Sequence, residues 1–285
     1  MKIRFEKICF SYDSKLPQQS QVLKDINLEI SDGEFVGIIG PSGSGKTTLI
    51  QHFTGLLRPS SGKIYVDDQN IWRKNYPLTD LRKKIGLVFQ FPETQLFEET
   101  VLSDVGFGPK ALQLSEAEID RRVDDALKMV GLNSEAIKTR SPHQLSEGEK
   151  RRVAIAGVLA MAPEMLVLDE PTACLDPAGV NLVIQILKEL HQSGTTIIVI
   201  THNMEVIIQL ALRIIVLHKG EVCFDGLREE TFTDKNLLQP IGLEIPRILR
   251  FCHYLQSRKI LSSSNIYSIK ELHQEIKALK CMRDD

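Results

Sequence analysis

Gly40-Pro41-Ser42-Gly43-Ser44-Gly45-Lys46-Thr47 fits the spacing G-x-x-x-x-G-K-[ST], and the chemistry that spacing serves is capture of a polyphosphate. Glycines let consecutive backbone N–H groups converge on one anion, and a helix beginning there adds its positive end. Lys46 is placed to reach the β- and γ-phosphates and the Thr47 hydroxyl to bind Mg²⁺, with Thr48 next in the same turn. The expected ligand is therefore a nucleoside triphosphate. A second candidate is the acid pair Asp169-Glu170, which emerges from the apolar run Met165-Leu-Val-Leu168. One carboxylate can hold Mg²⁺ through water while the next orients or deprotonates an attacking water. Paired acids at a strand end are commonly only solvated charges; the phosphate loop is what makes these two candidates. Gln90, at the end of Ile85–Phe89, and His202, after Thr195–Ile200, complete the set. Alone, such a glutamine is as readily a loop residue and such a histidine a hydrogen-bonded structural one. In a triphosphate-binding sheet, His202 could contact the γ-phosphate.

These residues need a scaffold, and the periodicity supplies one. Glu34–Ile39 is an apolar, β-branched run that reads as a buried strand, and Thr47–Phe53 continues without a breaker as a helix. Strand, glycine turn and helix is the context a phosphate loop requires. Residues 2–10 alternate (Ile3, Phe5, Ile8, Phe10) and predict an opening strand, followed by Tyr12, a polar loop with Pro17, and a second strand over Val22–Ile30. Tyr12 is ordinarily a half-buried strand-end residue, but an exposed ring there could also stack on a base. Lys63–Val66 and Ile85–Phe89 read as strands, and Phe91–Phe97 mixes aromatic and polar residues in the manner of an interaction surface.

From residue 98 to about 162 the pattern turns helical. Ser115-x-x-Glu118 predicts a capping box, and Ile119, Val123, Ala126, Leu127 and Val130 share one helix face. Leu145-Ser-Glu-Gly-Glu149 is a polar turn opening a helix, most simply an N-cap and by its geometry also an anion-binding arrangement. Leu175-Asp176-Pro177 starts a helix through Gln192, and Ile214–Leu217 with Glu221–Phe224 form a hairpin around Lys219-Gly220. Beyond Gly226, Pro246 and Ser268-x-x-Glu271 open two short amphipathic helices, expected to pack on the core or on a second subunit.

Composition narrows the class. At 285 residues, 42% hydrophobic and 25% charged, the chain reads as an ordinary globular protein, either one large domain or a domain with an appendage. A net charge of -2 leaves no basic footprint for nucleic acid. Cys9, Cys174, Cys223, Cys252 and Cys281 are scattered and odd in number, which suggests reduced thiols in a cytoplasmic setting. Met1–Glu6 leads into charged sequence rather than a secretory core, and the longest apolar region, Val206–Leu217, is broken by Gln209 and Arg213. Membrane association must then come through a partner.

Over residues 2–225 the chain resembles the ATPase subunits of ABC transporters. The elements, in order, are Tyr12 as adenine contact, Walker A (Gly40–Thr47), Gln90 of the Q-loop, the signature Leu145–Glu149, Walker B (Leu166–Glu170), Asp176 of the D-loop and the switch histidine His202. Within that superfamily the stretches Val88–Val101, Val105–Pro109, Arg151–Gly157 and Leu243–Pro246 are similar to energy-coupling factor (ECF) transporter ATPases of the cobalt and vitamin-uptake type. The resemblance implies an α/β P-loop NTPase with a RecA-like core over 1–225, an inserted helical subdomain over about 98–162 and a dimer-forming extension over 226–285. It also implies a head-to-tail dimer that sandwiches two ATP molecules. Lys46 and Thr47 would bind phosphate and Mg²⁺, with Asp169 and Gln90 completing the metal shell. Glu170 would act as base, Gln90 and His202 would sense the γ-phosphate, and Ser146, Gly148 and Asp176 would serve the partner's nucleotide.

The implied partners are a second ABC ATPase, identical or not, a transmembrane coupling subunit and a substrate-binding membrane subunit, at the cytoplasmic face of the cell membrane. The cargo would be a vitamin or a transition-metal ion. Two departures stand out: Glu147 occupies the usual third-position glycine of the signature, and Cys174 a D-loop position where a small residue is common. A carboxylate near a triphosphate is unfavourable unless it points away, so the composite site using Glu147 is expected to be the slower one. A conventional ABC importer is the nearest alternative. A DNA-acting ABC ATPase is disfavoured, because only about 100 residues separate Lys46 from Ser146, too few for long coiled coils.

Overall fold

The computed structural model describes residues 1–12, 21–233, 235–261 and 266–284. The loop expected around Pro17 and the linker Ser262–Asn265 lie outside the described residues, as does the side chain of Cys281. The chain opens with β1 (Ile3–Phe10) and β2 (Leu23–Ile30), an antiparallel pair. Ile3, Phe5, Ile8 and Phe10 are all buried although the spacing changes parity at residue 7. A register shift between Phe5 and Ile8, with Lys7 in the left-handed region (φ 49°), absorbs the extra residue.

Next come β3 (Phe35–Ile39), α1 (Lys46–Phe53), β4 (Ser61–Val66), β5 (Gln69–Asn70), α2 (Leu78–Lys84) and β6 (Ile85–Val88). Strands β2-β1-β4-β5 form one antiparallel sheet. A helical block follows: α3 (Val101–Ala111), α4 (Glu116–Met129), α5 (Ser134–Ile137) and α6 (Glu147–Leu159). The chain then returns to the core with β7 (Met165–Asp169), α7 (Pro177–Gln192), β8 (Thr196–Ile200), α8 (Met204–Leu210), β9 (Arg213–His218) and β10 (Glu221–Leu227). The second sheet has the order β10-β9-β3-β8-β7-β6, parallel except for β10.

Strands β3, β7 and β8 are buried at every position, as expected for a parallel sheet covered on both faces. Val36, Ile38, Val167, Ile198 and Ile200 face α1 and the antiparallel sheet, while Ile39, Leu166, Leu168, Ile197 and Val199 face the core shared with the helical block. The phosphate loop, Asp169 and the residues after Ile200 thus all leave the sheet at its carboxyl edge, where ligands sit in open α/β folds. The apolar region Val206–Leu217 divides between α8 and β9, and among the described residues no helix is long and apolar enough to cross a membrane.

One expected cap differs from its sequence reading. The Ser115 side chain accepts from the Glu118 N–H, but the reciprocal half of the box is not made, because the Glu118 carboxylate is held by Arg121 and Arg122 at 2.8–2.9 Å. Three charge-assisted bonds outcompete one backbone N–H. The complete capping box is at the start of α6, between Ser146 and Glu149.

After β10 the chain forms α9 (Arg228–Thr233), α10 (Lys235–Leu238), α11 (Arg247–Ser257) and α12 (Ile269–Asp284). Phe232, Leu238 and Leu249 join the main core, whereas Ile248, Cys252, Leu255, Leu261, Ile266 and Leu272 build a small core of their own. Arg228 lies 3.7 Å over the Tyr267 ring and clasps the two parts. Phe251 and Tyr254 of α11 face outward.

Candidate nucleotide site

Each half of the phosphate loop is fixed by backbone geometry. At Gly40 a Cβ would stand 2.1 Å from the Leu217 carbonyl oxygen of β9, so nothing larger than glycine fits. Gly45 caps α1 at φ 103°, a left-handed value that glycine adopts without strain. The loop is tied to the hairpin by the Gly220 N–H, which donates to the Ser44 carbonyl at 3.0 Å. The Lys46 ammonium donates to the Gly40 and Pro41 carbonyls at 2.8 Å each. Burial pulls its pKa below the usual lysine value, with the charges of Glu170 and Asp169 pulling the other way.

The acids are separated by function-bearing partners. The Thr47 hydroxyl donates to Asp169 Oδ2 at 3.0 Å. Burial raises the Asp169 pKa, opposed by that hydrogen bond and reinforced by the Glu170 charge. Glu170, itself buried and with φ 50°, receives the Thr201 hydroxyl on Oε2 at 2.9 Å. Its Oε1 receives the His202 N–H at 2.9 Å and the His202 Nδ1 at 2.6 Å. An ionised carboxylate only accepts, so Nδ1 carries that hydrogen. Gln90 is exposed on the same wall.

A cleft of about 640 Å³ gathers Gly40, Ser42 to Thr48, Gln90, Asp169, Glu170 and His202. The donor set suits Mg²⁺: a hydroxyl and a carboxylate, both hard oxygen ligands within reach of one ion, leaving the remaining positions for phosphate and water. No cluster of three or more His, Cys, Asp or Glu side chains that could hold a metal ion exists among the described residues. Tyr12 stands beside the loop rather than in the cleft, 62% exposed, its hydroxyl 2.8 Å from Thr48 Oγ1 and its ring edge-on to Phe10.

The signature and D-loop residues are not brought to this cleft. Gly148 and Asp176, with Glu147 and Cys174, line a separate cavity of about 510 Å³ between α6 and α7. Ser146 is engaged with Glu149, its N–H donating to Oε2 at 2.9 Å, and Asp176 caps α7 through the Gly179 N–H at 2.7 Å. The Glu147 carboxylate is 76% exposed and paired with Lys150 at 2.6 Å. Two contributors escaped the sequence reading. Thr201 had a signal, its place before His202 at a strand end; Val22, which lines the cleft from β2's approach, had none.

This architecture defines a P-loop ATPase whose own cleft holds the phosphate machinery while its signature faces elsewhere. The model of the ABC transporter family matches residues 23–173. The "Energy-coupling factor transporter ATP-binding protein EcfA2" of Clostridium tetani is 46% identical over 277 residues, covering 97% of this chain and 96% of the relative. Its counterpart in Clostridioides difficile is 47% identical over 285 residues, covering 99% and 98%. Among solved structures, cbiO1 of Clostridium perfringens, described as part of the ABC transporter complex cbiONQ, superposes with a TM-score of 0.73 at 40% identity, over 89% of this chain and 98% of that one. The ATP-binding cassette MJ0796, a dimer bound to ADP and Pi, gives 0.71 at 34% identity over 79% and 98%. The chain belongs to the ABC transporter ATPases, in the energy-coupling factor family of ATP-binding subunits. It is an ATP hydrolase coupled to transport.

Proposed function

We propose that this chain works as one half of a head-to-tail ATPase dimer that drives an ECF-type importer of a vitamin or transition-metal ion from the cytoplasmic face of the membrane. The observation that carries the reading is the split site. Lys46, Thr47, Asp169, Glu170 and His202 share one cleft, whereas Gly148 and Asp176 line another cavity. Each is half of a nucleotide site, and two chains in opposite orientation make two whole ones.

In that assembly Lys46 leaves the loop carbonyls for the β- and γ-phosphates. Thr47 and Asp169, with Gln90, would hold Mg²⁺. Such an ion would supply charge neutralisation on the phosphates. Glu170 takes the proton of the attacking water, and His202, with Nδ1–H on Oε1, holds the carboxylate toward the γ-phosphate. Phosphate binding by both halves favours the closed dimer, and hydrolysis removes the bridge. The Q-loop segment supports contact with a membrane subunit: Phe91 and Phe97 are exposed, the latter edge-on to Phe107 at 5.0 Å. The residue 226–285 extension supports association through α11, where Phe251 and Tyr254 face outward.

Affinity purification of the tagged chain from gently solubilised membranes of its native host tests this. A second ABC ATPase, a small transmembrane protein and a membrane-embedded binding subunit should co-purify. Conventional permeases with an extracytoplasmic binding protein would redirect the reading to ordinary importers, and nucleic acid or soluble partners alone would refute it.

A further inference from the structure

Arg151 is the fifth residue of α6, downstream of the signature, and only 3% exposed. A buried guanidinium is costly to keep unless its hydrogens are matched to acceptors. Its acceptors here are backbone carbonyls of another element: one terminal nitrogen donates to the Ala173 oxygen at 2.7 Å, the other to the Glu170 oxygen at 2.9 Å. These two carbonyls belong to the turn between Walker B and the D-loop. Both ends of that turn are strained, with Glu170 at φ 50° and Cys174 at φ 58°. Non-glycine residues stay in the left-handed region only where the surroundings hold them there, and such sites cluster where geometry serves function. The Ala173 N–H donates back to the Glu170 carbonyl at 3.1 Å, and the Glu170 N–H to Ile200 at 2.8 Å. The Glu170 side chain is held by Thr201 and His202, whereas the side-chain hold on the backbone carbonyls of the turn comes from α6 through Arg151.

The opposite edge of the guanidinium is free. Its Nε is buried without a hydrogen-bond partner, and so is Glu93 Oε2, which lies in the turn after Gln90. Glu93 and Arg151 line the same cavity. Burial pulls the Arg151 pKa down and the Glu93 charge pulls it up, so the carboxylate helps keep the cation in place.

We propose that Arg151 is a positioning residue for hydrolysis: by gripping the Glu170 and Ala173 carbonyls from the signature helix, it fixes the backbone from which the Glu170 carboxylate reaches its Thr201 and His202 partners. It also makes a rigid link between the helix that serves the partner's nucleotide and the base that acts on this chain's own. The proposal rests on reading Glu170 as the base.

The test uses the assembled transporter complex, comparing Arg151→Gln, Arg151→Lys and Glu170→Gln for kcat and KM of ATP hydrolysis, with complex yield and Tm as folding controls. Arg151→Gln should lower kcat about 10-fold or more with KM within about threefold, because the nucleotide contacts of Lys46 and Thr47 are untouched. Arg151→Lys should recover most of the loss, to within about two- to fivefold of wild type, since an ammonium carries three N–H donors and can still donate to a carbonyl. If Arg151→Gln fails to assemble, the lysine variant decides alone, by a lowered kcat at unchanged KM. An unchanged kcat in Arg151→Gln, beside an inactive Glu170→Gln, would overturn the proposal and leave the base intact. A lysine variant no better than glutamine, or one that raises KM at unchanged kcat, would also overturn it in favour of a merely structural role. Hydrolysis surviving in Glu170→Gln would overturn the reading of the base and the proposal with it.

Discussion

Replacing Glu147 by glutamine isolates the effect of a negative charge in the signature, because the side chain keeps its size and the Ser146–Glu149 cap is untouched. In the proposed dimer this position faces the partner's triphosphate. Coulomb's law puts two unit charges about 6 Å apart at about 0.7 kcal/mol in bulk water and about 3 kcal/mol at an effective surface dielectric near 20. The structure argues for the lower figure. Glu147 is largely exposed and its carboxylate is already paired with Lys150 at 2.6 Å, so a phosphate meets a short dipole rather than a bare charge. A residual repulsion of at most about 0.7 kcal/mol corresponds to a gain of up to about threefold in kcat/KM for Glu147→Gln. Losing the i,i+3 pair costs the helix only about 0.2–0.5 kcal/mol, so folding is not at risk. The assay is steady-state ATPase of the assembled complex at rising ionic strength. The gain should shrink as salt shortens the Debye length from about 14 Å at 0.05 M toward about 4 Å at 0.5 M. A variant at or below the wild-type rate, or a gain indifferent to salt, would refute the electrostatic reasoning. Glu147→Gly should move the rate the same way.

Two further outcomes follow from the site. Burial raises the Asp169 pKa, so the folded chain binds this proton more tightly than the unfolded one. The stability it contributes is complete below the unfolded-state pKa, and is lost as pH rises through the folded value. Asp169→Asn should therefore raise the Tm of the nucleotide-free chain at neutral pH, while removing the Mg²⁺-dependent part of the stabilisation by ATP, which for a ligand at 100 times Kd is about 2.7 kcal/mol; thermal scans with ATP and EDTA or Mg²⁺ decide both. Tyr12→Ala should weaken ATP binding by about 1–2 kcal/mol, roughly five- to thirtyfold, if the exposed ring stacks on a base, with Tyr12→Phe close to wild type apart from the lost hydroxyl contact to Thr48. Titration of a fluorescent ATP analogue would show an unchanged Kd for the alanine variant if the ring lies elsewhere.

Much of this molecule was legible in linear order because its chemistry is local. A glycine at a strand-to-helix turn, a lysine and a hydroxyl one and two residues on, and two acids after four buried apolar residues are each set by the conformation of a few neighbouring residues. The alternating or continuous burial of β1, β3, β7 and β8 likewise follows from side-chain period. What periodicity does not carry is partner choice between distant segments. The carboxylate of Glu118 turned to Arg121 and Arg122 rather than back to its cap, which depends on competing charges. Thr201 and His202 meet Glu170 only because β7 and β8 are parallel neighbours, which places residues 31 and 32 positions apart side by side. Gly40 is obligatory because the Leu217 carbonyl crosses it. Arg151 enters the sequence reading only as the first residue of the stretch Arg151–Gly157, and its burial against the Glu170–Ala173 turn is what singles it out. The sequence by itself determined the nucleotide chemistry and the strands and helices that carry it, because those depend on residue type and short spacing. The tertiary structure alone decided which side chains hold the Glu170 carboxylate and that the signature lines a different cavity from the phosphate loop, because both depend on how strands order in the sheet and how the helical block packs beside it.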